Sequence, residues 1–345
     1  MENSNDFIRS PASLIAYLKS KKINPSETGL GEIAKHPFPI LIPKYYVDLI
    51  DWKNPDDPLR KMVMTCNLEN TIKSHELEDP IGDKSHSPVP GLVHRYPDRA
   101  LLMFINICAV HCRFCFRKNM LGKNTANLEK SINYIKTHKE IWEVILSGGD
   151  PFMFTDHFMK NIMEKLRSIS HLKIIRFHTR TPVVYPKRVS LDFVKLLAIA
   201  KRCIVVIHIN HPQEITKEFV ETVKKMQDSG VMLLSQTVLL RGVNDSATVL
   251  EKLFRGLVES GVKPYYLHHL DLTRGTDHFR ISVAKGKEIV QKLRGNVSGV
   301  CLPEYVIDTP GGFGKIPVFW FSHVSKEEYQ ATNFEGKRIF YQDVD

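Results

Sequence analysis

The chain has 345 residues, 43% of them hydrophobic, enough for a large core in one barrel-like domain with extensions or in two domains. No apolar stretch approaches the ~20 residues that span a bilayer, and the first six residues carry neither the basic nor the apolar region of a secretory signal. The net charge is +10, yet the basic residues are spread in short runs such as 19–22, which reads as a solvated basic surface and argues against a nucleic-acid interface.

In chain order, residues 13–21 have helical spacing, with Ile15, Tyr17 and Leu18 among polar residues, and residues 28–34 suggest a second short helix. Segments 54–60 and 76–90 are rich in Asp, Pro, Gly and Ser and read as loops. Residues 1–90 therefore read as an N-terminal helical and irregular extension. From residue 101 a regular alternation begins. Apolar, β-branched runs at 101–107, 143–147, 174–179, 204–209, 231–239 and 265–270 predict strands. Amphipathic stretches at 128–139, 156–170, 189–201, 215–228, 247–260 and 283–294 predict helices between and after them. Near-continuous apolar strands between helices argue for a parallel sheet buried on both faces. The expectation is an α/β fold, a partial TIM-like (βα)6 barrel over 91–322 with its chemistry at the C-terminal strand ends, followed by a tail over 323–345. A doubly wound sheet is the alternative, but its Gly-x-Gly-x-x-Gly fingerprint is absent.

The motifs fall where a barrel mouth would gather them. Cys108, Cys112 and Cys115 follow the first strand in the spacing C-x3-C-x2-C. Ser147-Gly148-Gly149-Asp150-Pro151 follows the second; His208 and Asn210 end the fourth; Gln236 lies in the fifth and Asp271 ends the sixth. Three thiolates lie within eight residues, with no fourth cysteine near. Structural zinc wants four closed ligands. Cubane iron–sulfur clusters are held by thiolates, usually four, so three would leave one iron open. The competing reading is zinc with His111 as fourth ligand, although His111 adjoins Cys112 and one backbone does not easily wrap both around one ion. Cys66, Cys203 and Cys301 are scattered and read as small buried hydrophobes, a usage that suits a reducing cytoplasm.

The cysteine spacing resembles the radical S-adenosylmethionine (SAM) enzymes, in which the open iron of a [4Fe-4S] cluster takes the amino and carboxylate groups of SAM. Three further stretches, 94–99 (HRYPDR), 146–151 (LSGGDP) and 308–315 (DTPGGFGK), resemble lysine 2,3-aminomutase and its close relatives. The resemblance runs from about residue 91 to 318, and the last stretch narrows it to the aminomutases that use pyridoxal 5′-phosphate (PLP). It implies an isomerase that converts L-lysine to β-lysine by radical 1,2-amino migration. SAM cleaved at the cluster would supply a 5′-deoxyadenosyl radical and PLP a π-system across which nitrogen moves; the protein binds, orients and shields both.

The same resemblance assigns roles. Lys315 is the PLP Schiff-base lysine, a task that desolvation suits, with Gly311, Gly312 and Gly314 allowing close backbone approach. A glycine-rich turn with a solvated lysine is the plain alternative. A P-loop is set aside, because Thr309 and Ile316 stand where Gly and Ser or Thr would be needed. Arg95, Tyr96 and Arg99 match positions that anchor the PLP phosphate, which a guanidinium fork grips bidentately. Ser147, Gly148, Gly149 and Asp150 would receive the SAM ammonium, and His208 and Gln236 would help hold SAM. A histidine metal site at 208–211 is the weaker alternative, with no third histidine nearby. Arg117 matches the partner of the substrate α-carboxylate, and Asp271 and Asp308 the two carboxylates that hold the lysine ε-ammonium. Two anions offset the desolvation of a buried ammonium and would repel a substrate carboxylate.

The chain departs from the family at Phe313, where another glycine is common, and at His268, where a tyrosine is common. No cysteine follows Cys301, whereas longer members carry a zinc-binding C-terminal extension. That shortness resembles the subgroup that makes (R)-β-lysine for elongation factor P, a subgroup that often lacks the acid at position 308. The expectation is thus a cytoplasmic enzyme with a small-molecule amino acid substrate, an unidentified electron donor and no membrane partner; homo-oligomerisation stays open. Its rivals are an aminomutase acting on arginine or another amino acid, and a non-catalytic iron–sulfur or RNA-binding protein, against which the PLP segment speaks.

Overall fold

The computed structural model describes residues 4–28, 38–118, 126–325 and 327–343. Its centre is one nine-stranded sheet: β1 (Leu92–Tyr96), β2 (Arg99–Ile105), β3 (Glu143–Gly148), β4 (Ile174–Thr179), β5 (Cys203–His208), β6 (Met232–Val238), β7 (Lys263–His268), β8 (Glu304–Asp308) and β9 (Lys315–Pro317). Spatial order follows chain order. β2 to β8 run parallel, and the edges β1 and β9 pair antiparallel with their neighbours.

All six expected strands form, and a seventh parallel strand, β8, joins them. Its five residues, Glu-Tyr-Val-Ile-Asp, are too short an apolar run to separate from the adjoining DTPGGFGK motif by periodicity. The helices Leu128–Thr137, Asp156–Arg167, Leu191–Leu197, Lys217–Asp228, Ala247–Glu259 and Val283–Leu293 lie where amphipathic spacing placed them. Each opens on an Asn, Ser or Thr cap (Asn127, Thr155, Ser190, Thr216, Ser246, Ser282) whose side chain accepts a backbone N–H of the first turn. Their apolar faces, among them Ile162, Phe193, Phe219, Leu253 and Ile289, close over the outside of the sheet.

The N-terminal segment contributes a helix, Pro11–Ser20, close to the expected one. Of the helix expected at 28–34 only Thr28 is described, at the end of a single turn, Pro25–Thr28; the rest lies outside the described residues. This segment is packed against the cysteine loop. The His111 amide donates to the Leu41 carbonyl and the Arg113 amide to the Met62 carbonyl, each at 2.9 Å. The fully buried Arg113 guanidinium grips the equally buried Glu69 carboxylate, with its closest contact at 2.6 Å. At the other end, Ser322–Ser325, Glu328–Thr332 and Arg338–Gln342 form a three-stranded antiparallel sheet whose Tyr329, Ala331, Ile339 and Tyr341 are buried in the same core.

The barrel is not closed by a backbone ladder among the described residues. Across the seam, the Tyr96 hydroxyl at the end of β1 accepts the amide of Lys315, the first residue of β9, at 2.8 Å. The loop before β1 packs over the same place: a Cβ at Gly82 would lie 2.6 Å from the Gly311 carbonyl carbon. No helix among the described residues is long and apolar enough to cross a membrane.

Candidate active site

The cysteine loop leaves β2 and runs across the C-terminal ends of β3 and β4. All three thiols are partly buried. Burial pushes each of them up, Cys115 to about 11; neighbouring cysteines add to the push on Cys108 and Cys115, while Arg180 opposes it at Cys112. His111 is otherwise engaged: its Nδ1 donates to the Pro39 carbonyl at 2.7 Å, and its ring stacks on Phe38 with centroids 4.5 Å apart. That arrangement ties the imidazole to the N-terminal segment. Among the described residues, no three His, Cys, Asp or Glu side chains converge on a single ion position.

The turn after β3 is zipped to this loop. The Gly149 amide donates to the Ile105 carbonyl at 2.7 Å and the Asp150 amide to Ile107 at 2.9 Å. Gly148 adopts φ +101°, and a Cβ at Gly149 would overlap the Ile107 carbonyl oxygen. The paired glycines thus let the turn lie against the segment that leads to Cys108. Asp150 is tied into the fold by its own neighbours. Its Oδ1 accepts the Thr179 hydroxyl (2.6 Å) and the Phe152 amide (3.0 Å), and its Oδ2 accepts the amides of Arg180 (2.8 Å) and Thr181 (2.9 Å). Four donors reach the carboxylate, which thereby braces β3 to the end of β4. Ser147, Gly148 and Gly149 stay beside the cysteine loop. So does His208, whose ring lies 5.5 Å from that of Phe114 and whose Nε2 is 3.1 Å from the Asn210 amide nitrogen. His208 and Gln236 are register partners on β5 and β6.

A second constellation gathers at the seam. Lys315 Nζ contacts both oxygens of Asp308, at 2.9 and 2.7 Å. His268 Nδ1 lies 3.6 Å from Asp308 and Arg95 Nη1 lies 4.0 Å from it. Burial would raise the Asp308 carboxyl, but the Lys315 ammonium and His268 hold it well below the usual range. Asp271 behaves oppositely: burial, then the Asp308 charge, push it up to about 7. Tyr96 touches the Lys315 amide, and the Arg99 guanidinium stacks 3.7 Å over the Tyr96 ring while pairing with exposed Asp98. Arg117 is buried on Asp83, through Nε at 3.0 Å and Nη2 at 2.8 Å. The other oxygen of Asp83 takes Arg95 Nη2 at 3.1 Å.

Two family models match the chain: the radical SAM superfamily over residues 102–253 and lysine-2,3-aminomutase over 290–345. The L-lysine 2,3-aminomutase of Clostridium subterminale is 41% identical over 317 residues, 90% of this chain and 76% of that one. The Methanococcus maripaludis protein of the same name is 44% identical over 307 residues, covering 87% and 71%. That of Escherichia coli is 37% identical over 319 residues, covering 91% and 92%. The chain belongs to the lysine 2,3-aminomutase family of radical SAM enzymes.

As a member of this family it is an isomerase with a [4Fe-4S] cluster and SAM, and the donor set fits them. Three crowded thiols, costly as bare thiolates, suit a cationic cluster that would hold them deprotonated. The seam also fits PLP: a lysine amine is present, and Arg95 Nε is buried without a hydrogen-bond partner, an open donor for a phosphate. Sequence reasoning missed Asp83, Arg180, Glu214 and His178. Asp83 lies in a stretch that reads only as loop. His178 Nε2 is buried without a partner, and burial plus the charges of Arg176, Lys315, His268 and Arg117 push the ring well below the usual range. Its position two residues after Arg176 on one strand face was the available signal.

Proposed function

We propose that this aminomutase moves the α-amino group of L-lysine to the β-carbon, with PLP as a cofactor beside SAM and the cluster. In this reading Cys108, Cys112 and Cys115 hold three irons, and Ser147, Gly148, Gly149, Asp150, His208 and Gln236 form the SAM side of the cavity. Lys315 holds PLP, and Arg95, Tyr96 and Arg99 receive its phosphate. When bound, the cluster and SAM supply a hydrogen-abstracting 5′-deoxyadenosyl radical, and PLP supplies the π-system for nitrogen migration. The chain's own part is positional. Arg117 offers its remaining N–H edge to the substrate carboxylate while Asp83 fixes the other edge. Asp271 and Asp308 take the ε-ammonium at the far end, so the reacting carbons are held between two fixed points.

One observation carries the lysine assignment. The amine of Lys315 is an alkylammonium, the same group as the tip of the substrate, and it already sits on Asp308 with Asp271 close enough to feel the charge. The pair supports recognition of a primary ammonium, which needs two carboxylates to offset its burial. An anaerobic panel of L-lysine, L-arginine and L-glutamate, with products identified by mass and chirality, tests this. β-Lysine from lysine alone is expected; a β-amino acid formed preferentially from arginine would replace the substrate assignment.

A further inference from the structure

Arg180 follows β4 and is buried, its backbone amide fixed by Asp150 Oδ2 at 2.8 Å. Its guanidinium reaches in two directions. Nη1 donates to the Cys112 sulfur at 2.7 Å. Nη2 donates to Glu214 Oε1 at 2.7 Å and to the Tyr46 hydroxyl oxygen at 3.3 Å. Glu214 is itself saturated. Besides Arg180 it accepts the Tyr46 hydroxyl at 2.8 Å, the Asn210 amide at 2.7 Å and the His211 amide at 3.0 Å. The negative charge of Glu214 is thus spread over four donors, and the edge of Arg180 that faces sulfur is left as a cation with one aimed N–H. Arg113, on the cysteine loop itself, is committed to Glu69.

We propose that Arg180 is a positioning residue for the iron–sulfur centre, its N–H bond to the Cys112 sulfur raising the reduction potential of the cluster and easing its charging before SAM is cleaved. The reason is charge balance. A low-potential one-electron donor passes one electron to the oxidised cluster, which gains one negative charge; no bond to Arg180 forms or breaks. A fixed cation and a hydrogen bond to a ligand sulfur favour the more negative state. Burial strengthens the effect, since little water screens the pair. Glu214 and Tyr46 keep the guanidinium from swinging away, and Asp150 sets the main chain from which it starts. Asp150, the acid of the Ser-Gly-Gly-Asp turn, is thereby linked to the cluster ligand through Arg180.

This inference rests on the cluster assignment of the three cysteines, which the iron content of the wild-type protein checks by itself. The test is an EPR-monitored redox titration of the full chain, reconstituted with iron and sulfide under anaerobic conditions, with no PLP and no amino acid present. Its outcome is then independent of the lysine assignment. Arg180→Met should keep its iron and shift the midpoint to a more negative potential, with Arg180→Lys, which retains the charge, falling between it and wild type. Full iron with an unchanged midpoint in Arg180→Met overturns the proposal. If Arg180→Met loses iron, Arg180→Lys decides by the same criterion. If neither variant folds or holds iron, Arg180 is a structural residue of the loop and the tuning role is equally overturned.

Discussion

Lys315 lays its ammonium across both oxygens of Asp308, so that the amine assigned to PLP and the carboxylate assigned to the substrate are each other's partners. The pair keeps two opposite charges compensated in a cavity where either alone would be costly. It also means that a ligand which takes one of them must leave the other a new partner: a bound L-lysine brings its own ammonium to Asp308 when Lys315 is committed elsewhere.

Asp308→Asn keeps the shape and removes the charge. We expect kcat/KM for lysine to fall at least about a hundredfold, the loss of a charged hydrogen bond to a buried ammonium. The absorbance of bound PLP should persist, because Lys315 remains. Steady-state kinetics alongside a PLP titration measure both, and unchanged lysine kinetics would remove Asp308 from the substrate site.

Asp271 gives a pH signature. Its folded value of about 7 lies above the ordinary carboxylate value, so the folded protein holds a proton there that the unfolded chain has lost. The resulting stability is present below about pH 4 and is lost as pH rises through about 7. An ammonium ligand prefers the ionised form, so KM for lysine should fall as pH rises toward 7 and then level. Asp271→Asn should flatten that limb, which a pH series of KM reads out; a limb that survives the substitution would assign it to another group.

Gly149→Ala should drive a methyl group into the Ile107 carbonyl and shift the segment entering Cys108. We expect a stability loss of about 1–3 kcal/mol, typical of overpacking, with fewer irons retained per chain. Thermal melts and iron analysis on the same preparation would check it. Full iron with wild-type melting would show that the turn is looser than its contacts imply.

Glu69→Gln breaks a pair in which both side chains are fully buried. Removing one partner of such a pair costs about 3–5 kcal/mol. Because Arg113 lies between Cys112 and Cys115, the loss should show as lower denaturant midpoint and as faster loss of the cluster. A midpoint equal to wild type would mean that a neutral amide serves Arg113 as well as the carboxylate does.

Much of this was legible from local pattern. The cysteine spacing, the six expected strands and the DTPGGFGK segment are written in residues that lie next to one another. The strand ends then bring His208 beside Gln236, and Asp271 near Asp308, because a parallel sheet aligns them. What stayed hidden depends on partners far apart in the chain. Asp83 acquires meaning only from Arg95 and Arg117, Glu214 only from Arg180 and Tyr46. Asp150 is a related case. Its place after two glycines gives no sign that the Thr179 hydroxyl and the amides of residues 180 and 181 bind its oxygens.

The phenolic bridge between Tyr96 and the amide of Lys315 stands where every other neighbouring pair of strands has a ladder. A wall joined there by side chains and loop packing has no pair of strands to unzip. The lysine is therefore mounted at the one junction of the ring that has no ladder among the described residues, and the cysteine loop springs from the second strand away on the other side of that junction.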